Sequence, residues 1–263
     1  MTGRLHSRHT IFGEDFAFLA RTVRTGITPK LTIPSPSMLH FRGRAMGIDP
    51  AIYPDMDAYR ADLGAVYAEQ IERLGALGCR YLQLDDTSWG FAVDPALRPG
   101  LEAAKESSRS LLDCYADVVN AALARKPAGM TVCMHVCRGN FRSAWAAEGG
   151  YDDVAAVLFA KVNVDAFFLE YDDARSGSFA PLAMLPAGKR VVLGLVSSKT
   201  PVLEDQRALI ARIEQAARHV PLERLGLSPQ CGFASTLEGN ALDEAAQMAK
   251  LRLVVATARE VWR

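Results

Sequence analysis

The chain has 263 residues, of which 49% are hydrophobic, and 30 basic side chains balance 30 acidic ones to a formal net charge of zero. That balance argues against a general polyanion binder, so no nucleic-acid partner is expected. There is no run of about 18 apolar residues to span a membrane and no apolar core of the signal-peptide kind at the N-terminus, so a cytoplasmic protein without a membrane partner is expected.

In chain order, "GEDFAFLARTVRTG" (13–26) is the one helix-like piece among the first 29 residues. "KLTIPS" (30–35) reads as a strand stopped by Pro34 and Pro36. A helix follows over 58–78, where Tyr59, Leu63, Val66, Tyr67, Ile71 and Leu74 recur at helical spacing before a glycine stop. "CRYLQLDD" (79–86) is a strand that ends in acids, and "FAVDPALRPG" (91–100) reads as a βα loop. A long helical pattern runs over 101–126, then a strand over 130–137, "MTVCMHVC". A helix at 151–162, a strand at 165–173, a strand at 189–199, an amphipathic helix at 203–220, a short strand and turn at 223–232 and a last helix at 242–262 complete the chain.

This β/α alternation implies parallel strands covered by helices. Polar residues gather where the strands end: Ser35 and Ser37, Asp85 and Asp86, His135 and Cys137, Glu170, Ser197 and Ser198, and Cys231. A (β/α) barrel builds its active site at that end. The expected class is therefore α/β, a (β/α)8 TIM-barrel type with about six β/α units visible and two strands missing on the N-terminal side. Residues 1–263 are read as one catalytic barrel-type domain, with 1–29 as helix and coil and 30–263 as the β/α units. No linker or low-complexity segment interrupts it.

The five cysteines, Cys79, Cys114, Cys133, Cys137 and Cys231, are an odd set without regular short spacing, so a disulfide framework is not expected. Cys79, Cys114 and Cys133 read as core. His135 and Cys137 differ: residues two apart in a strand point to one face, and both suit zinc. Two ligands do not make a site, and a strand that carries His and Cys by chance stays open at this point. Glu170, at the end of the next strand, and Cys231, after the last one, are the candidates to complete it. His40 ends the first visible strand and reads as a loop histidine, and Asp86 and Asp172 read as acidic loop residues.

Taken together, "YLQLDDTSWG", "MHVCRGN", "FFLEYDDARSG" and "ERLGLSPQCGFAS" resemble, the last three in that family's own order, the catalytic barrel of cobalamin-independent methionine synthase and more closely its short, single-domain relatives. The resemblance runs from about Pro29 to the C-terminus. It implies that His135, Cys137, Glu170 and Cys231 hold zinc and that Asp85 holds the amino group of the substrate. It also implies a methyltransferase of the 5-methyltetrahydropteroyltriglutamate–homocysteine type, which moves a methyl group to a thiol, homocysteine first of all, to give methionine. Its partners would be that small thiol and a methyl donor, either a folate or a methylated corrinoid. Val196 stands where the folate-using enzymes carry a proton-donating histidine, which counts against folate. Alkyl transfer to another small thiol, and a shortened inactive zinc-binding remnant, stay open beside it. The ligand set argues the same way on its own: two anionic cysteines and a carboxylate keep a zinc-bound sulfur electron-rich, whereas three neutral histidines suit hydroxide generation. The two missing strands would leave sheet edges unpaired, so self-association into a homo-oligomer is expected first, beside coverage of the edges by residues 1–29 or weak stability as a lone monomer.

Overall fold

A computed structural model describes every residue except 2, 44–46 and 104–109. In it α1 (Gly13–Thr22) is followed by β1 (Lys30–Pro34), α2 (Pro36–Gly43), α3 (Met56–Ala76), β2 (Tyr81–Asp86), α4 (Ser88–Val93), α5 (Arg98–Ala103), α6 (Leu111–Ala122) and β3 (Thr131–Val136). Then come α7 (Ala155–Lys161), β4 (Ala166–Glu170), β5 (Arg190–Val196), α8 (Gln206–Ala217), β6 (Leu225–Pro229) and α9 (Glu244–Val261). The sheet has six strands in the order β1-β2-β3-β4-β5-β6. The pairs β1–β2, β4–β5 and β5–β6 are parallel. Among the described residues, β1 and β6 each have a single neighbour, so the sheet is not closed by hydrogen bonds. The α/β architecture expected from the alternation is the one observed, with the six expected strands present among the described residues.

Helix starts follow from short polar side chains. Asp55, Ser110, Asp205 and Asp243 each accept a backbone N–H from the first turn of α3, α6, α8 and α9, satisfying donors that a helix leaves orphaned. Ser110 also corrects the expected long helix over 101–126. Its backbone is extended, with φ −63° and ψ 145°, so α6 starts afresh after it; part of the expected helix, 104–109, lies outside the described residues. The expected loop at 91–100 instead holds the end of α4 and the start of α5. Asp94 makes the turn between them, its carbonyl accepting from Arg98 N at 2.9 Å and its Oδ1 from Ala96 N at 2.8 Å.

The chain divides into two compact units. The first takes residues 1–88, 100–134 and 161–165. Its core holds Leu63, Ile71 and Leu74 of α3, packed with α6, whose Tyr115, Val118 and Val119 are buried, and Leu82 and Leu84 of β2. Gly64 is required there, because a Cβ would lie 2.6 Å from that of Ala121. Residues 5–11 run along this unit, with Leu5 N donating to Tyr53 Oη at 2.7 Å and Ile11 N to Gln70 Oε1 at 2.8 Å, and form no strand.

The second unit takes residues 89–99, 135–160 and 166–263. Phe167 and Leu169 of β4 and Val191, Leu193 and Leu195 of β5 are fully or almost fully buried with Leu158, Phe159, Leu182 and Ile213. β5 and β6 lose register between Gly194 and Val196. This bulge turns the chain after β6, so that Gln230 N donates to Val196 O at 2.7 Å.

Candidate metal centre

His135 is on β3 and Cys137 one residue past its end; both are buried. The alternation of a strand aims them the same way. Cys231 follows the bulged end of β6. One ligand atom from each of the three lies within 4.8 Å of the other two. Four donors around a tetrahedral zinc with bonds near 2.3 Å lie about 3.8 Å apart, so a nitrogen and two sulfurs gathered in this way match the donor set of one soft ion. All five cysteines are free thiols.

The two sulfurs shift one another's acidity in opposite directions. The hydrogen bond with Cys137 holds Cys231 well below the usual thiol range, against burial and with help from His135. The same bond, then burial, then the negative charges of Cys231 and Glu170 push Cys137 well above that range. A cation beside the pair would favour the charged form of both thiols.

Glu170 ends β4, fully buried. It stands beside the trio but is not one of the three. Its Oε2 accepts the Arg138 N–H at 2.6 Å, and its Oε1 receives Lys199 Nζ at 3.0 Å and Arg175 Nη2 at 3.3 Å. Tyr151 stitches the two strand ends: its hydroxyl accepts from Glu170 N at 3.0 Å and donates to Val136 O at 3.1 Å. The buried Arg138 guanidinium is spent on Gly149 O, Tyr151 Oη and Glu170 O. Gly90 lets α4 come up to this turn, since a Cβ there would overlap the Cys137 carbonyl.

Asp172 is buried rather than a solvated loop acid. It ion-pairs with Lys199 at 3.0 Å, and burial outweighs that partner and raises its carboxyl above the usual range. The loop after β5 is pinned in turn: Glu204 accepts from Ser197 N at 2.8 Å and pairs with the fully buried Lys250 of α9 at 2.9 Å. Asn140 donates to Ser198 Oγ, Gly232 O and Ser235 Oγ, which ties the turn after β3 to the loop carrying Cys231.

Asp85 belongs to the first unit. It is half-buried on β2, opposite Pro34 of β1, and accepts from Gln83 Nε2 at 2.6 Å. Asp86, expected as a loop acid, is fully buried and accepts from Ser37 Oγ and from Ser88 N at 2.8 Å. Burial raises its carboxyl, with the serine hydrogen bonds opposing. His40, expected in a loop, is buried in α2 with Nδ1 3.0 Å from Tyr115 Oη. Cys79, Cys114 and Cys133 are core, as expected, and Val196 is fully buried. Sequence reasoning missed Lys199 and Arg175. The signal for Lys199 was a cation directly after two serines at a strand end.

The family described as cobalamin-independent synthase, catalytic domain, matches residues 45–260. The Bacillus subtilis protein YxjH, itself uncharacterised, is 46% identical over 265 residues, covering 100% of this chain and 69% of YxjH. A solved structure from Listeria monocytogenes, described as a candidate vitamin-B12-independent methionine synthase, superposes with a TM-score of 0.79 at 37% identity, over 100% of this chain and 73% of that one. A 5-methyltetrahydropteroyltriglutamate–homocysteine methyltransferase of Herpetosiphon aurantiacus is 24% identical over 178 residues, 67% of this chain and 21% of that enzyme. The chain thus spans about two thirds of the length of its Bacillus relatives. It belongs to the cobalamin-independent methionine synthase family, matched over the catalytic domain, and is a methyltransferase by class.

Proposed function

We propose that the chain is a zinc-dependent methyltransferase that transfers a methyl group to a thiol, with homocysteine as acceptor and methionine as product. The observation that carries this reading is the gathering of His135, Cys137 and Cys231 within 4.8 Å at the ends of β3 and β6. These three and Glu170 would hold the metal, and Asp85 would take the acceptor's ammonium group. A bound zinc supplies the acceptor's sulfur as a thiolate at neutral pH, where a free thiol with a pKa near 8.5 is mostly protonated.

The chain's own groups favour alkyl transfer over hydrolysis. Two sulfur donors and a carboxylate add negative charge around the acceptor sulfur and keep it nucleophilic. Burial of His135, Cys137 and Glu170 keeps water from competing for the methyl group. On the donor side, a folate and a methylated corrinoid are the two readings kept. The buried, apolar Val196 supplies no proton to a leaving pterin, which favours the corrinoid.

The test is to incubate the zinc-loaded chain with homocysteine and a panel of methyl donors and to assay methionine. Methionine formation with one donor, abolished by a chelator and restored by zinc, is the expected result. Zinc uptake without methionine from any donor supports the reading as an inactive zinc-binding remnant instead.

A further inference from the structure

Both carboxylate oxygens of Glu170 are already engaged within the chain. Lys199 and Arg175 hold Oε1 at 3.0 and 3.3 Å, and the Arg138 N–H holds Oε2 at 2.6 Å. Lys199 is buried, and its ammonium has a second carboxylate, Asp172, at 3.0 Å. It therefore keeps a partner when Glu170 moves. Arg175 likewise pairs with Asp173 at 2.8 Å and stacks on the Trp145 ring at 4.2 Å. The stem that carries Lys199 is fixed from below by Glu204, which bonds Ser197 N and pairs with Lys250. So the cation is doubly partnered and bonded to a carboxylate that lies outside the His135–Cys137–Cys231 trio.

We propose that Lys199, assisted by Arg175, is a positioning residue that draws the Glu170 carboxylate off the metal centre and so keeps one ligand position open for the acceptor thiol. Glu170 then has two resting places, the metal and the Lys199–Arg175 pair. Asp172 serves to hold Lys199 in place while Glu170 exchanges between them. This inference rests on the metal reading given above and adds to it which group competes with the metal for its fourth ligand. A cation present only to stabilise the fold would leave zinc affinity unchanged or lower it when removed. A competing partner has the opposite sign, because its removal returns Glu170 to the metal.

The experiment uses the full chain and measures zinc affinity by competition with a chromophoric chelator, together with the absorption spectrum of the cobalt(II)-substituted protein. Lys199→Met is expected to bind zinc about tenfold more tightly, the scale on which groups supporting ligands act, and to need more homocysteine to change its cobalt spectrum. Lys199→Arg is expected to restore the original behaviour. In a Glu170→Gln background, Lys199→Met is expected to change nothing. Unchanged or weaker zinc binding by Lys199→Met overturns the proposal, as does the same tightening in the Glu170→Gln background. If Lys199→Met does not fold, Arg175→Gln is expected to tighten zinc to a smaller degree, and no tightening there overturns the proposal. A parent chain that takes up no zinc overturns the metal reading and this inference with it, whereas a parent chain that binds zinc with Lys199→Met unchanged overturns this inference alone.

Discussion

Cys137 and Cys231 reach one another from different strand ends, and each brings a different support. Cys137 is fixed by the strand and by the turn that Arg138, Tyr151 and Glu170 brace. Cys231 sits in a loop held by Asn140 and Ser235. Serine in place of either removes a soft donor and adds a hard, protonated one that binds zinc poorly. Cys137→Ser and Cys231→Ser are each expected to lose most of their zinc by elemental analysis while keeping the far-ultraviolet dichroism of the parent; full zinc in both would place the metal elsewhere. Asp85 is a separate matter. A carboxylate that holds an ammonium group is worth about 1.5–3 kcal/mol, so Asp85→Asn is expected to raise the KM for homocysteine by roughly ten- to a hundredfold and to leave zinc content intact. A KM unchanged in that variant would return Asp85 to a strand-end acid that accepts from Gln83.

At the scale of elements, the site depends on how closely strands and turns approach. Gly194 lies where β5 meets its neighbours, and a Cβ there would come within 2.9 Å of Leu169 O and Gln230 Cα. Both atoms are backbone and have little room to yield. Gly194→Ala is therefore expected to cost about 1–3 kcal/mol of stability and to weaken zinc binding although it touches no ligand, because it pushes the Gln230–Cys231 turn outward. Urea unfolding and zinc titration of that variant test both halves. The turn between α4 and α5 carries a pH signature. Burial would raise the Asp94 carboxyl, but the N–H groups of Glu148, Ala96 and Leu97 outweigh it and leave it below its ordinary value. A carboxylate depressed in the folded state adds stability that is present above its unfolded pKa and disappears as pH falls through the folded one. Asp94→Asn is expected to be less stable than the parent at pH 6 and to close that gap toward pH 3, as read by urea midpoints; a gap that stays constant would mean that the charge plays no part. Much of this architecture was legible beforehand. β/α alternation and strand ends rich in acids, His and Cys depend on local pattern, and they located β1 to β6 and the trio. The Ser110 break, the bulge after Gly194 and the burial of Asp86 and Asp172 were not legible. The two acids depend on partners distant in the chain: Asp172 reads as a loop acid until Lys199 is placed against it, and Asp86 until Ser37 is; the Ser110 break is local, a cap on Asp113 N inside a stretch whose spacing reads as one helix.

At the scale of the whole chain, the question is what becomes of the two outer strands. β1 pairs only with β2, and β6 only with β5, among the described residues. Parallel strands ordinarily lie inside a sheet, covered on both faces and paired on both sides. Residues 5–11, which could have covered an edge, run along α3 instead. Apolar groups remain uncovered in both units: Phe18 and Ile27 in the first, Met248 and Val255 of α9 in the second. Each buried backbone group without a partner costs roughly 1–3 kcal/mol, and a domain's whole net stability is about 5–15 kcal/mol. A few such groups at each edge are enough to make pairing with another strand favourable. The purified chain is therefore expected to self-associate, with a sedimentation mass above that of the 28.6 kDa monomer that rises with concentration. Hydrogen exchange locates the contact: residues 30–34 and 225–229 are expected to gain protection as concentration rises, while β4 and β5 do not change. A monomer at all concentrations, with both edge strands as protected as β5, would mean that these edges are satisfied within the chain, and the expectation of self-association would then fail.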